Sequence, residues 1–378
     1  MIDFTFSEEQ ELFRKVAREF AETKIAPQVP TMEESNRGWD EVVKELAEAE
    51  MFAVTIPEEY GGLGMGYVAR LIAIEEIARV SVATAMMYQV FGLGFEPFIK
   101  FGTEEQKKKY LPKFATGERL ATVAVTEPSG GSDPKGCSTR YKKVKGSYTL
   151  NGRKCFITNS HIADAQVILA VDEGNPEAFT TFIVEKGMEG FKPTHEEHKV
   201  GMRGCNTGEI EMKNVAVPAE NVIGGEGKGL KVAMAAIGDV GRGGMVGCAL
   251  GLQQACLDAS VKFSNERILY GKPISNLQTI QNKIAEMKID LEAGRLLGYR
   301  AAAMQDKGGR TSNEFAVAKY FTTEAVQKAA KMAVDIHGGY GCMEEFPVTR
   351  YLRDSFVVGP SAGTSDIMKV IIARWALS

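Results

Sequence analysis

The segment ERLATVAVTEP at residues 118–128 decides the fold, because the spacing of apolar residues changes within it. Before this segment apolar side chains recur every three or four positions, as at Leu12, Val16 and Phe20, which is typical of amphipathic helices. After it, short apolar or alternating stretches separated by Gly, Pro and Asn predict strands and turns. Helical spacing returns at about Gly227 and lasts to the C-terminus. This order predicts an N-terminal helical domain (1–117), a middle β domain (118–225) and a C-terminal helical domain (226–378).

The composition excludes several classes of protein. A net charge of −4 gives no electrostatic reason to expect binding to nucleic acid or to an anionic membrane. No apolar run is long enough to span a bilayer, and the opening MIDFTFSEEQ lacks the pattern of a signal peptide. The six cysteines are scattered and form no CxxC pair, so we expect no metal site or disulfide framework, and reduced thiols in a cytoplasm.

Several short motifs indicate ligand binding, although each has an ordinary structural explanation. VTEPSGGSD (125–133) leaves a strand and exposes backbone N–H groups and hydroxyls, as an anion- or ring-binding loop or a simple turn would. CFITNS (155–160) ends a strand with aromatic, hydroxyl and amide groups, and IHGGYG (336–341) permits close backbone approach or caps a helix. Two similarities fail: HEEH (195–198) is one residue short of a zinc-protease helix, and GGEGKG (224–229) lacks the spacing of a P-loop.

Taken together and in order, these segments resemble the acyl-CoA dehydrogenase family. The resemblance runs through IPEEYGGLG (56–64), TEPSGGSD (126–133), KCFITNS (154–160), GDVGR (238–242), NERILYGKPI (265–274), IHGGYG (336–341), LRD (352–354) and GTSDIMKVIIAR (363–374). It covers nearly the whole chain and implies a mainly α fold with a central β domain: an N-terminal helical domain, a β-barrel-like middle domain and a C-terminal four-helix bundle. It also implies FAD as cofactor, an acyl-CoA substrate, assembly as a homotetramer and an electron-transfer flavoprotein as electron partner.

The resemblance assigns FAD contacts to residues of this sequence. The strand end from Val123 to Thr126 would bind the pyrimidine side of the flavin, Thr158 would hydrogen-bond near flavin N5, and Phe156 replaces the usual Trp beside the ring. The other implied FAD contacts are Val125, Ser132, Arg267, Tyr270, Gln278, Gly338, Gly339, Thr364 and Asp366. Of these, Arg267, Tyr270 and Gln278 would reach the FAD of a neighbouring subunit. Asp335 stands where Gln is usual, so the contact of the Gly338–Gly339 pair with a pyrophosphate is in question.

The resemblance also implies substrate contacts and exposes a missing group. Ser132, Asp239 and Arg242 would contact CoA, and Met86, Gln89, Val90 and Leu93 would line the acyl pocket. In the family a Glu removes the alpha proton of the thioester, while a backbone N–H stabilises the developing enolate. Ala362 stands at the usual position of that Glu and Gly241 at the alternative position. The Ala362 N–H can still polarise the thioester.

Three interpretations of the empty positions follow. The chain is an engineered Glu-to-Ala trap, or a catalytically inactive binding subunit, or its base lies elsewhere because the proton leaves a different carbon. The residues Gly359, Pro360 and Ser361 also depart from the family, which argues against a single engineered change. Glu96 extends the acyl-pocket face of its helix and is the candidate displaced base. The alternative is that Glu96 ends that helix before Pro97 and faces polar groups.

The sequence therefore predicts FAD-dependent dehydrogenation of an acyl-CoA whose acyl group is not a plain straight chain, for example an alicyclic or conjugated one. An enoyl-CoA reductase using the same chemistry in reverse is the first alternative. A catalytically inactive flavin- or acyl-CoA-binding protein is the second.

Overall fold

The computed structural model describes residues 5–378, in which helices precede and follow a central group of strands. The N-terminal helices are α1 (Glu8–Phe20), α2 (Val29–Ser35), α3 (Trp39–Glu48), α4 (Gly66–Val80), α5 (Val82–Phe101) and α6 (Glu104–Ala115). Ser7 and Gln10 form a reciprocal capping box at the start of α1. Helices α4 and α5 are buried along most of their length, because apolar residues occupy nearly all of their faces.

The middle part is an eight-stranded mixed sheet. Its strands are β1 (Ala121–Ala124), β2 (Arg140–Val144), β3 (Ser147–Thr158), β4 (Ala165–Asp172), β5 (Phe179–Glu185), β6 (Phe191–Glu196), β7 (Thr207–Pro218) and β8 (Val222–Ile223). The strand order is β6-β7-β3-β2-β4-β5-β8, and β1 pairs in parallel with β4. The antiparallel pairing of β3 with β7 sets Thr158 opposite Thr207, so the ends of these two strands lie side by side.

The C-terminal part is a helical bundle. Its helices are α7 (Gly229–Ala235), α8 (Arg242–Glu266), α9 (Gln278–Asp306), α10 (Ser312–His337), α11 (Pro347–Val358) and α12 (Ser365–Ala376), with a short hairpin of β9 (Ile268–Leu269) and β10 (Lys272–Pro273) between α8 and α9. Helix α8 packs against α4, α9, α10 and α11. A π-helical turn, Ala236–Gly241, joins α7 to α8. Such turns are frequent at functional sites.

Helix α5 connects the three parts because it packs against β1, against α4 and α6, and against the start of α8. A Cβ on Gly94 would lie 2.1 Å from the carbonyl oxygen of Ala121, so only glycine allows α5 to approach the strand this closely. The helix continues through Pro97 to Phe101. The expectation that it ends before Pro97 is therefore wrong, and the buried side chains on both sides of Pro97 stabilise the helix despite the missing N–H. No helix in the part of the chain described is both long and apolar enough to cross a membrane.

Candidate active site

A cavity of about 670 Å³ lies where α5, the ends of the central strands and the loop before α12 meet. Thirteen residues predicted from the sequence line it: Met86, Gln89, Val90, Leu93, Val123, Val125, Thr126, Ser132, Phe156, Thr158, Arg242, Ala362 and Thr364. These residues come from all three parts of the chain. The fold thus brings the predicted acyl pocket, the predicted flavin contacts and the empty base position into one space.

The β side of the cavity carries polar groups that have no hydrogen-bond partner among residues 5–378. Thr126 and Thr158 line the cavity, and neither hydroxyl makes a hydrogen bond within the described residues. A Cβ on Gly131 would lie 2.9 Å from the hydroxyl oxygen of Thr126, so glycine at this position keeps space open above that hydroxyl. Free hydroxyls at strand ends beside a glycine-containing loop fit the polar edge of a flavin. The donor set is therefore compatible with the FAD expected from the sequence.

A bulge in β3 turns Phe156 toward the cavity. The register between β3 and β7 shifts between Lys154 and Ile157, and Phe156 has a φ of 56°, which is unusual for an aromatic residue. Bulges of this kind redirect side chains next to active sites. Phe156 is 64 % exposed while it lines the cavity, so this side of the cavity opens to the surface.

A buried ion pair supports the loop that follows β1. The Lys154 ammonium donates to a Glu127 carboxylate oxygen at 2.8 Å and to the Val125 carbonyl at 3.1 Å, and both charged side chains are inaccessible to solvent. The same carboxylate accepts the backbone N–H groups of Ser138 and Thr139. Burial acts to raise the pKa of Glu127, but the Lys154 charge and these hydrogen bonds hold it well below its usual value. The pair therefore fixes the backbone that presents Val125 and Thr126.

The opposite wall is the loop of residues 359–363, which carries Ala362. Ala362 has a φ of 55° and Gly363 a φ of 103°, so two successive residues are left-handed. Within the described chain the Ala362 N–H donates to no carbonyl, so it is free to donate to a ligand. A Cβ on Gly241 would lie 3.5 Å from the Ala362 Cβ. The two positions at which a base was expected thus converge on one point of the cavity, and neither carries a carboxylate.

Glu96, the candidate displaced base, does not line the cavity. Its carboxylate is 1 % exposed and accepts the Tyr67 hydroxyl at 2.8 Å and the Lys100 ammonium at 2.7 Å. Burial, followed by the charge of Glu96, raises the pKa of Tyr67 well above its usual value. Both carboxylate oxygens therefore have partners, which is the polar environment expected under the alternative interpretation. The proposed base role of Glu96 stays a prediction.

Asp239 and Arg242, which were predicted to contact CoA, lie in two different environments. Arg242 lines the cavity and donates through Nη1 to the carbonyl and hydroxyl of Ser312, while its buried Nε has no partner in the described structure. Burial lowers the pKa of Arg242. Asp239 is outside the cavity lining and lies 3.8 Å from the Lys100 ammonium. Arg242 therefore remains available for an anionic or polar ligand group, whereas Asp239 is directed toward Lys100.

The remaining predicted FAD contacts lie away from this cavity. Arg267, Gly338 and Gly339 line a second concavity of about 550 Å³, which shares no lining residue with the first. Asp335 also lines it, and its carboxylate pairs with Lys283 at 3.3 Å and Lys331 at 2.9 Å. These lysines reduce the repulsion that Asp335 would exert on a phosphate.

Three further predicted FAD contacts line neither space: Tyr270, Gln278 and Asp366. Tyr270 lies in the turn between β9 and β10 and is almost fully exposed. Gln278 begins α9, and the Asp366 side chain is exposed in the first turn of α12. Such exposed positions are compatible with contacts made across a subunit interface, which is the role expected for Tyr270 and Gln278.

Sequence reasoning missed one wall of the cavity. The segment between β6 and β7 contributes Glu197, His198, Lys199, Met202 and Cys205. The Met202 N–H donates to the buried carboxylate of Asp354 at 2.6 Å, which ties this wall to α11. The available signal was the glycine-rich segment 201–208 between two strands, but its position beside Thr158 depends on the long-range β3–β7 pairing.

Comparisons with known proteins agree on the family across almost the whole chain. Three family models match: acyl-CoA dehydrogenase N-terminal domain at residues 7–118, middle domain at 122–215 and C-terminal domain at 227–377. An acyl-CoA dehydrogenase of Bacillus subtilis is 39 % identical, with 98 % of each chain covered. A caffeyl-CoA reductase-Etf complex subunit, CarC, of Acetobacterium woodii is 38 % identical, covering 98 % of this chain and 99 % of the relative.

The fold has equally close counterparts among solved structures. Butyryl-CoA dehydrogenase from Megasphaera elsdenii matches with a TM-score of 0.97 at 34 % identity, covering both chains completely. A matched acyl-CoA dehydrogenase structure from Bacillus anthracis, 31 % identical with a TM-score of 0.93, is complexed with FAD.

Proposed function

This chain belongs to the acyl-CoA dehydrogenase family and is an FAD-dependent oxidoreductase of CH–CH bonds, and we propose that its substrate is an acyl-CoA other than a plain straight-chain one. The observation that carries the proposal is the wall formed by Ala362 and Gly241. Its free N–H can polarise a thioester, but no carboxylate stands where the alpha proton is normally accepted. A substrate that loses its proton from another carbon, as an alicyclic or conjugated acyl group can, removes this conflict.

The residues of the chain divide the work in the following way. Val123, Val125, Thr126 and Thr158 would hold the flavin edge, and Phe156 would flank its ring. When bound, FAD supplies the two-electron acceptor or donor for hydride transfer at the beta carbon. Met86, Gln89, Val90 and Leu93 would enclose the acyl group and exclude water, while Ser132 and Arg242 would contact the CoA moiety. The backbone N–H of Ala362 would donate to the thioester oxygen as negative charge develops there.

The proton requires a base outside the two usual positions. Of the described residues that line the cavity, the titratable ones are Glu197, His198, Lys199, Cys205 and Arg242, and all except Arg242 come from the segment before β7. Glu96 remains a candidate only if it exchanges its contacts with Tyr67 and Lys100 for the substrate. This requirement makes Glu96 a poor base in the arrangement described, because both of its oxygens are engaged.

Reduction of an enoyl-CoA is the second candidate function. A relative that is 38 % identical is named as a reductase of caffeyl-CoA, a conjugated acyl thioester. Reduction runs in the opposite direction, with a hydride added at the beta carbon and a proton at the alpha carbon, and because positions 241 and 362 carry no acid that proton would have to come from another donor. The same relative is named as part of an Etf complex, which supports an electron-transfer flavoprotein as partner, and the exposed Phe156 offers an open edge at which electrons could enter or leave.

An anaerobic screen separates these functions. The FAD-loaded protein is mixed with straight-chain, branched and alicyclic acyl-CoAs, and the flavin absorbance is followed. We expect loss of absorbance with an alicyclic or conjugated-ring precursor and very slow change with butyryl-CoA. Reoxidation of the reduced protein by an enoyl-CoA, with no reduction by any saturated thioester, supports the reductase. A spectral shift without loss of absorbance for every thioester supports a binding protein and contradicts the proposed reaction.

A further inference from the structure

The loop that carries Ala362 is held from behind by a buried lysine. We propose that Lys319 is a positioning residue, which fixes residues 359–363 so that the Ala362 N–H meets the thioester and which adds a buried positive charge behind that donor. The inference deepens the proposed function and rests on it, because it needs a thioester in the cavity. Lys319 itself does not line the cavity.

Lys319 contacts both ends of the loop formed by residues 359–363. Its ammonium group lies on α10, is inaccessible to solvent, and donates to the Gly359 carbonyl at 2.8 Å and the Gly363 carbonyl at 2.6 Å. Between these two carbonyls lies the left-handed Ala362. The other side-chain tie within the loop in the described structure is the Ser361 hydroxyl, which donates to the Val357 carbonyl. Lys319 is therefore the contact that fixes both ends of the loop relative to α10.

The loop also has an anchor that does not depend on Lys319. Thr364 caps the start of α12, and the Ser365 hydroxyl donates to Glu324 on α10 at 2.7 Å. Helix α12 therefore remains attached to α10 when the lysine is changed. The effect of Lys319 on the geometry of Ala362 can thus be measured separately from attachment of the helix.

The hydrogen bonds from residue 319 to the two loop carbonyls would not by themselves require a charged donor. Among the described residues the hydrogen-bond partners of its ammonium group are two carbonyls and no carboxylate forms an ion pair with it, and a buried cation without such a partner is costly. A neutral donor could satisfy carbonyls at lower cost. A positive charge behind an N–H donor does, however, strengthen that donor where negative charge develops, and the low dielectric of the interior enlarges this effect. The thioester oxygen is the site at which such charge develops in the proposed reaction.

The charge is sensitive to pH. Burial, followed by the nearby Arg242 on α8, lowers the pKa of Lys319 to about 8, and Glu324 on its own helix acts in the opposite direction. The loop 359–363 contains no titratable side chain, and Asp366 on α12 is directed to solvent. Lys319 is therefore mostly charged below pH 8 and loses its charge as the pH rises above that value.

The test uses crotonyl-CoA labelled with ¹³C at the thioester carbonyl and bound to the FAD-loaded protein. Infrared difference spectroscopy measures the carbonyl stretching frequency, which falls as hydrogen bonding polarises the group. We expect a lowered frequency in the wild type, loss of most of this shift in Lys319→Met, and retention of it in Lys319→Arg. The exposed Lys328 on the same helix supplies the control, and Lys328→Met is expected to leave the shift unchanged.

The pH dependence of the carbonyl shift distinguishes the proposed role of the Lys319 charge from a purely structural role, which would leave the shift independent of pH. In the wild type the shift should decrease between about pH 7 and 9, whereas in Lys319→Arg it should stay constant. With any thioester that turns over, Lys319→Met should lower kcat by up to about a hundredfold and change KM less. A full shift in a folded Lys319→Met variant, or a wild-type shift that is independent of pH, would overturn the inference. If Lys319→Met does not fold, the pH dependence of the carbonyl shift in the wild type still tests the inference. Failure of the wild type to bind any acyl-CoA removes the proposed function, and the inference with it.

Discussion

Introducing a carboxylate at Ala362 tests the interpretation of the active site most directly. Ala362 already has a left-handed backbone and a Cβ that faces the cavity, so glutamate adds little strain beyond that carried by alanine. The cavity of about 670 Å³ provides room for the longer side chain. The same change at Gly241 is less favourable, because a Cβ there would lie 2.8 Å from Leu93 Cδ1. Relieving that contact requires repacking at a cost of about 1–3 kcal/mol.

The expected gain follows from general-base catalysis. A positioned base accelerates proton transfer by about 10²- to 10⁴-fold, which corresponds to about 3–5 kcal/mol of barrier. The backbone N–H of residue 362 is unchanged by the substitution, so thioester polarisation should persist. We therefore expect Ala362→Glu to reduce its flavin with butyryl-CoA about 10²- to 10⁴-fold faster than the wild type. The partly buried new carboxyl should have a raised pKa, so its rate should increase with pH.

Anaerobic stopped-flow mixing with butyryl-CoA or octanoyl-CoA measures this rate through the flavin absorbance. Ala362→Gln is the matched control, because it has nearly the same volume but cannot accept a proton. Equal gains in the Glu and Gln variants would show that shape, and not the base, limits the reaction. Rapid oxidation of butyryl-CoA by the wild type would refute the reasoning as a whole, since an acceptor at the alpha carbon would then already exist.

Three further outcomes are expected. If Glu96 is the displaced base, Glu96→Gln abolishes the native reaction, whereas unchanged turnover removes it from the mechanism. Glu127 has a lowered pKa, so its stabilising contribution is present above about pH 4.5, the ordinary pKa of Glu, and is lost as the pH falls through its folded-state value. Glu127→Gln should accordingly lower the free energy of unfolding by about 3–5 kcal/mol at pH 7, as measured by urea unfolding. The stability of the variant should also fall less steeply in acid than that of the wild type. An unchanged urea midpoint would contradict a supporting role for the pair with Lys154. Light scattering should show a tetramer or at least a dimer, because Arg267 and Gln278 are expected to contact the FAD of a neighbouring subunit and neither lines the first cavity, and a monomer that retains FAD would exclude this assembly.

Local patterns were sufficient to predict the main architecture. The change of apolar spacing at residues 118–128 marks the first strand, which begins at Ala121, and the return of helical spacing near Gly227 precedes α7 at Gly229. The faces of α5 could also be predicted, because residues three and four apart share one side of a helix. Met86, Gln89, Val90 and Leu93 accordingly line one cavity.

Features that depend on tertiary packing could not be predicted in this way. Pro97 signals a helix end in sequence, but burial of the flanking turns maintains α5 through it. Lysine is usually a surface residue, and only the fold reveals that Lys154 and Lys319 are buried and hydrogen-bonded. Glu96 follows Leu93 by three residues in the same helix, but this spacing was insufficient as a functional argument, because Glu96 does not line the cavity and its carboxylate contacts Tyr67 and Lys100.

The convergence of Ala362 and Gly241 restricts where any proton acceptor can lie. A carboxylate at either position would reach the same side of a bound thioester, because a Cβ on Gly241 would lie 3.5 Å from the Ala362 Cβ, so a base that replaces them would have to approach from another wall. The predicted acyl pocket, lined by Met86, Gln89, Val90 and Leu93, carries no titratable side chain that could act as a base. The segment before β7 does carry titratable groups, in Glu197 and His198. A carboxylate at position 362 would face one carbon of the substrate, and a base on the wall before β7 would face another. The position of the base and the identity of the acyl group therefore have to be determined together.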